Sequence, residues 1–361
     1  MSAGPGVSSD RLRLAILGFG RVGRAVLELA LTRPWLEVTC VTTRGADREG
    51  EPARRTVVAA PEGLRIQTDQ AAALHEARPD VVCIATVSRL RDVLPHLEAA
   101  ASSGARAIVC TAEELAYAQP EDGPEAAAIH GLSARHAVPI VATGVNPGFV
   151  LDLWPLVLAG LAWDVQRIES RRVVDVSVFA PHTRAQLGIG HQPEAFAAGV
   201  ADGSIAGHLG FRESLRLLSE SMGYPTERIT IETSPVLADR EHRLADGSIA
   251  AGSSMGVTQR AVAWHAGRAW ITVEMLLHAA PEEVGVRPID EVHVFGRHEL
   301  HATIDPGSAA ILGTAAQLIN IIPVALGADP GLYGPGQLRP GAPWLAATPP
   351  PMSPRPVAVI A

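Results

Sequence analysis

The chain has 361 residues, 47% of them hydrophobic and 19% charged, which suits two folded units with full cores and excludes a disordered chain. A formal net charge of -8 argues against a nucleic-acid surface. No run reaches the length of a membrane span, and the opening Met1-Ser2-Ala3-Gly4-Pro5-Gly6 has neither a charged n-region nor an apolar h-region, so a cytoplasmic protein is expected.

The three cysteines, Cys40, Cys83 and Cys110, lie in apolar, strand-like runs and read as buried small residues in a reducing compartment. They suggest neither a disulfide set nor a metal site. The chain contains no lysine; all 30 basic residues are arginine. A Schiff-base lysine, a lysine general acid and a P-loop lysine are therefore excluded.

In chain order, the apolar run 13–17 leads into Gly18-Phe19-Gly20-Arg21-Val22-Gly23, which opens a helical stretch at 21–33. Strand, glycine turn and helix in this order form a dinucleotide-binding fingerprint. The helix start offers free N–H groups and the positive end of a dipole to phosphates. Further strands are expected at 36–42, 64–66, 81–85, 107–110 and 139–142, with helices at 69–77, 88–102 and 124–136. Buried strands alternating with such helices predict an α/β, doubly wound parallel sheet of Rossmann type over residues 1–150.

From about residue 165 the pattern changes to alternating runs at 167–176, 228–232, 258–264, 269–276 and 291–295. The turn Ala266-Gly267-Arg268 joins two of them. Period-2 runs predict a second, α+β domain over 151–305 on an open mixed sheet, whose free face suits a homodimer. Helices at 192–201 and 211–222 interrupt it. A last helix at 307–322 is expected to end at Pro323 and return to the first domain within 306–340. Residues 341–361 are rich in Pro and Ala, and 346–356 reads as an extended tail.

Candidate site residues fall at the strand ends. The second strand ends Thr42-Thr43-Arg44, with no acid for a ribose 2′-OH and with an arginine able to pair with a 2′-phosphate. That pattern favours NADP and leaves NAD open. Ala85-Thr86 ends the fourth strand, where small residues let the chain approach a pyrophosphate, or simply lead into an N-cap at Ser88. After the fifth strand comes Thr111-Ala112-Glu113-Glu114. Either carboxylate suits proton exchange or holding an ammonium group, and either suits the first turn of a helix. The sixth strand runs into Gly144-Val145-Asn146-Pro147-Gly148-Phe149, where Asn146 offers a donor and an acceptor. Phe149 points either into a substrate pocket or into the core. His182, His191 and His208 follow in the second domain, His208 between glycines. Nothing in the histidine spacing resembles a metal site.

Taken together these motifs resemble the 2,4-diaminopentanoate dehydrogenase family and the related native amine dehydrogenases, distant relatives of dihydrodipicolinate reductase. The likeness runs from the first strand to about residue 338. It is carried by the glycine loop, Glu113-Glu114-Leu115-x-Tyr117, residues 143–149, Arg171-Arg172-Val173-Val174-Asp175, Gly207-His208-Leu209-Gly210 and residues 315–323 with Asn320. It implies hydride exchange between a nicotinamide cofactor and a carbon bearing an amine or imine, with a small amine or carbonyl substrate and ammonia as partners. The family's acid maps best on Glu113, with Glu114 the alternative. The strand-end readings and the resemblance together put Gly18, Gly20, Arg21, Val22, Gly23, Thr43, Arg44, Ala85, Thr86, Thr111, Asn146 and Asn320 at the cofactor, and Phe149, His182 and His208 at the substrate. The stretch 177–192 and Gly334-Pro335-Gly336 depart from the family pattern. A reductase of a cyclic imine, and a nucleotide-binding protein without turnover, are the competing readings.

Overall fold

A computed structural model describes residues 11–350 apart from Ala180, Ala206 and Pro225. The opening read above for a targeting signal lies outside the described residues. The chain forms two compact units, one holding residues up to Gly144 and from Ile311 onward, the other Val145–Ala310.

The first unit begins with β1 (Leu12–Leu17), α1 (Arg21–Leu31), β2 (Leu36–Thr42), β3 (Ile66–Gln67) and α2 (Gln70–Ala77). It continues through β4 (Val81–Ile84), α3 (Leu90–Ser102), β5 (Ala107–Cys110), α4 (Pro124–His136) and β6 (Pro139–Ala142). Strands β4, β5 and β6 are buried at every position, as strands covered on both faces must be. Cys40, Cys83 and Cys110 are free and buried, as their apolar surroundings predict.

The second unit holds α5 (Leu153–Ala159), β7 (Arg167–Asp175), α6 (Pro181–Gln186), α7 (Pro193–Asp202), α8 (Phe211–Ser221), β8 (Arg228–Leu237), and the small hairpin β9 (His242–Leu244) and β10 (Gly247–Ile249). The long hairpin β11 (Ser254–His265) and β12 (Arg268–His278) follows, then β13 (Ile289–Phe295) and β14 (Leu300–Ile304). Six strands form one mixed sheet in the order β14-β13-β7-β12-β11-β8. Only the β12–β7 pair is parallel. Positive φ at Ala266 and Gly267 turns the chain between β11 and β12, where the turn was expected. One face of the sheet packs Val257, Ala261, Ile271, Val273, Val292 and Val294 against Phe211, Leu215 and Leu218. The other carries charge: Arg171 pairs with Glu274 at 3.6 Å and with Glu291 at 3.1 Å. Period-2 patterning along each strand produces this division.

The first unit is completed by α9 (Ala310–Ala325) and β15 (Gly331–Tyr333). Its seven-stranded sheet is parallel throughout, in the order β15-β6-β5-β4-β1-β2-β3. The strand order reverses beside β1, the position where doubly wound sheets bind ligands. One face packs Phe19, Leu27 and Trp35 with Leu318 and Ile322 of α9. The other packs Leu74, Val93, Leu97, Ile129 and Leu132.

Two sequence expectations need correction. Helix α9 does not end at Pro323 but runs on to Ala325 with the proline inside it. Burial of Val324 and Ala325 in the core offsets the hydrogen bond that the ring removes. Strand β15 was not foreseen; its three residues pair with β6 at the sheet edge. Residues 346–350 carry no helix or strand, and 351–356 of the expected tail lie outside the described residues. The start of that segment is anchored, because the Trp35 indole N–H donates to the Trp344 carbonyl at 3.1 Å.

Candidate active site

At the end of β1 the glycine loop is shaped by contact. Gly18 has φ 95°, and a Cβ there would stand 2.3 Å from the Ala85 carbonyl oxygen. A Cβ on Gly23 would stand 1.9 Å from the Gly18 carbonyl oxygen. Both positions require glycine for close approach of loop, strand and helix. Gly20 faces open space, with nothing within 4 Å of the place its Cβ would take. The Gly18 and Phe19 N–H groups donate to the Thr42 carbonyl at 3.0 and 2.8 Å, tying the loop to the end of β2. Helix α1 has no acid in its first turn and no side-chain cap, so its terminal N–H groups remain open to an anion.

The ends of β2 and β4, and helix α9, carry polar atoms that find no partner among the described residues. Thr42 Oγ1, Thr86 Oγ1 and Asn320 Oδ1 are buried without a hydrogen bond. Buried polar groups are rarely left unpaired, so such atoms point to a ligand or to ordered water. Ala85, Thr43 and Thr111 lie half-buried beside them, Val22 packs on the core, and Arg44 is exposed at the end of β2. This cradle fits a dinucleotide: open helix-end donors, a side-chain-free approach at Gly20 and unpaired hydroxyl and amide oxygens.

The two glutamates after β5 differ in their surroundings. Glu114 accepts the Leu90 backbone N–H at 2.9 Å, and its other oxygen lies 3.6 Å from Arg89. It serves the start of α3. Glu113 is half-buried in the short turn Glu113–Leu115. Burial pushes its carboxyl above the usual range; a hydrogen bond from the Ser88 hydroxyl opposes this, and the Glu114 charge adds to it. A carboxyl whose pKa is raised takes up a proton more readily than a solvated one, which suits acid–base work.

In the second unit, Asn146 has both amide atoms buried without a hydrogen-bond partner. Its loop is held by Asp152, a fully buried carboxylate that sequence reasoning missed. Asp152 accepts the Gly148 N–H at 2.8 Å, the Leu153 N–H at 2.6 Å and the Ser214 hydroxyl at 2.8 Å. Burial still raises its pKa against these three bonds. The only early signal was an aspartate just before the apolar run 153–159, the usual place of an N-cap.

His208 is half-buried, with its backbone N–H donating to Gln259 at 2.8 Å and its ring stacked on Phe211. Its Nδ1 meets the Leu209 carbonyl, so Nδ1 carries the proton and Nε2 is a bare acceptor. Burial, then the nearby Arg172 charge, pull its pKa down to about 4, so the ring is neutral at physiological pH. Phe149 is half-buried against the core of this unit. His182 is exposed on the short helix α6. Among the described residues no group of three or more His, Cys, Asp and Glu is arranged to hold a metal ion, and no helix is long and apolar enough to cross a membrane.

Residues 149–339 match the family described as the 2,4-diaminopentanoate dehydrogenase C-terminal domain, more than half of the chain. The chain belongs to the 2,4-diaminopentanoate dehydrogenase family. A curated relative, the 2,4-diaminopentanoate dehydrogenase of Acetoanaerobium sticklandii, is 28% identical over 328 residues, covering 90% of this chain and 92% of its own. An amine dehydrogenase from Mycobacterium smegmatis shares the fold with a TM-score of 0.81 and 21% identity over 92% of this chain and 97% of its own. A probable dehydrogenase from Thermotoga maritima shares it more loosely, with a TM-score of 0.56 and 13% identity, covering 90% of this chain and 91% of its own. Family membership makes the protein an oxidoreductase that acts on CH–NH2 groups. The resemblance expected from the glycine loop, the Glu113-Glu114 stretch and the Asn146 loop thus holds.

Proposed function

We propose that the protein is an NADP-preferring amine dehydrogenase in which Glu113 is the acid–base group at the reacting nitrogen. The observation that carries this reading is the different environment of two adjacent carboxylates. Glu114 is bound to the start of α3, whereas Glu113 is desolvated and touched only by the weak donor Ser88 among the groups that shift it downward through a side chain. The cofactor supplies the hydride; the chain positions it through the Gly18–Gly23 loop and the unpaired Thr86 and Asn320 oxygens.

Glu113 as carboxylate holds an ammonium or iminium nitrogen, and as carboxylic acid it returns a proton to that nitrogen. Asn146, with both amide atoms unpaired among the described residues, is available to a carboxamide. His208 offers its bare Nε2 as a fixed acceptor to a donor group of the substrate. NADP preference rests on Arg44 and on the absence of an acid at the end of β2. Three buried free thiols suit a reducing cytoplasm, and the charged open face of the six-stranded sheet suits a second copy in a homodimer.

The test is NADPH oxidation across a panel of ketones and aldehydes, including keto acids, with and without ammonia. Turnover that requires ammonia supports the reading. Equal turnover without ammonia overturns it in favour of carbonyl reduction, and cofactor binding without any turnover favours a binding protein.

A further inference from the structure

Arginines gather on one side of the glycine loop, with Asp47 in the same short turn as Arg48 and Glu51 paired to it. Arg21 and Arg24 lie in the first turn of α1, and Arg48 ends the short turn Ala46–Arg48 after β2. The guanidinium carbons of Arg24 and Arg48 stand 6.0 and 5.7 Å from the centroid of one ring, that of Phe19. Phe19 lies between the first two glycines of the loop and is only 1% exposed. The ring is therefore a fixed platform that gathers both cations at one place.

Arg48 and Arg24 are compensated unequally. Arg48 Nε donates to Glu51 at 2.9 Å. Arg24 Nε is buried and has no hydrogen-bond partner. Burial lowers the Arg24 pKa first, and the charges of Arg48 and Arg21 lower it further; Glu51 alone opposes them. Arg21 and Arg24 sit in the first turn of a helix that carries no acid there. Such an arrangement costs energy in the protein alone and is relieved by an anion. A dinucleotide pyrophosphate is met by backbone N–H groups and does not require a pair of side-chain cations.

The side of the loop decides which anion fits. Gly18 and Phe19 both donate to the Thr42 carbonyl, so the Phe19 platform is tied to the end of β2. In doubly wound sheets that strand end faces the adenosine ribose. The geometry points to Arg24 and Arg48 as the pair that, together with Arg44, receives the ribose 2′-phosphate of NADPH. This assignment rests on the nicotinamide-cofactor reading above and extends it from one exposed arginine to a built cluster. Arg24 and Arg48 are then specificity-determining residues, since NADH offers a hydroxyl where NADPH offers a dianion.

Isothermal titration with adenosine 2′,5′-bisphosphate and with 5′-AMP reads the cluster without any turnover. The intact chain should bind the bisphosphate about tenfold or more tightly than 5′-AMP, the scale of one charge-assisted hydrogen bond. Arg24→Gln and Arg48→Gln should each lose most of that ratio while 5′-AMP and NADH binding hold. Among the described residues Arg24 makes no ion pair, so Arg24→Gln carries the test alone if the loss of the Arg48–Glu51 pair unfolds the loop. Bisphosphate affinity within twofold of the intact chain in both variants overturns the assignment. So does an equal loss of both ligands, which would mean that the pair only packs the loop. An intact chain that binds neither ligand nor NADH refutes the underlying cofactor reading instead.

Discussion

The carboxylate of Glu114 accepts the backbone N–H of Leu90 at 2.9 Å and closes the start of α3 from a segment 24 residues downstream. Its neighbour Glu113 has no such duty. This separates two adjacent acids that are identical in type. Replacing Glu114 by Ala should destabilise the protein by about 0.5–2 kcal/mol, the scale of a lost helix cap, and leave turnover within a few-fold. Replacing Glu113 by Gln should cut turnover by roughly 10²-fold or more while NADPH still binds. Steady-state kinetics and thermal melting of the two variants check this. Should the large kinetic loss follow Glu114 instead, the acid is misassigned.

Glu113 also predicts a pH signature. Its folded pKa is raised by burial. The folded chain therefore keeps the proton at pH values where the unfolded chain has released it. Stability falls as pH rises from the unfolded pKa through the folded one, because more protons are bound in the native state. Glu113→Gln removes this cost. The variant should melt higher than the parent at pH 7 and show no such advantage at pH 4. Melting curves at the two pH values decide it, and a variant less stable at pH 7 would sink the idea.

Cofactor choice gives the third expectation. Arg44→Ala should weaken NADPH by ~1–3 kcal/mol, the scale of a charge-assisted contact, and leave NADH nearly unchanged. Fluorescence titration of both reduced cofactors measures it. Tighter binding of NADH than of NADPH by the unaltered chain would contradict the reading.

The sequence was most legible where local chemistry dictates geometry. The glycine loop, the alternation of strands and helices and the turn at Ala266-Gly267 are all local signals, and the structure realises each one. The missed elements depend on contacts across the chain. Strand β15 has three half-buried residues and exists because β6 offers an open edge. Strand β14 alternates half-buried and exposed positions at the other sheet's edge and so lacks an apolar signature. Continuation of α9 past Pro323 follows from burial, which propensity does not contain. Glu113 and Glu114 could not be told apart in sequence because the Leu90 N–H that distinguishes them comes from another segment.

Asp152 shows how much the Asn146 loop depends on one buried carboxylate. Two backbone N–H groups and the Ser214 hydroxyl converge on it. Asp152→Ala strands all three donors in the core of the second unit. At about 1–3 kcal/mol for a buried unsatisfied group, a loss of roughly 3 kcal/mol or more is expected. Asp152→Asn keeps the size but turns one oxygen into a donor facing donors, and should also destabilise. Denaturant midpoints measure both; a variant within 1 kcal/mol of the parent, on the scale of an ordinary surface substitution, would contradict this role.

Phe149 follows the same loop, and its placement favours packing over pocket. The ring is half-buried against the core of the second unit. Its backbone is held on both sides, with its N–H donating to Val145 at 3.2 Å and its carbonyl accepting from Trp154 at 2.8 Å. The backbone bonds fix where the ring begins, and the ring itself packs on that core. Full burial of a phenylalanine makes truncation to alanine cost 3–5 kcal/mol, so half-burial predicts about 2 kcal/mol. Phe149→Ala should therefore melt several degrees lower and keep the substrate preference of the parent. Melting temperature and relative kcat/KM over a series of straight-chain and branched carbonyl compounds separate the two roles. A preserved melting temperature with a shift toward longer substrates, ~1–3 kcal/mol per methylene, would move Phe149 from the core to the pocket wall.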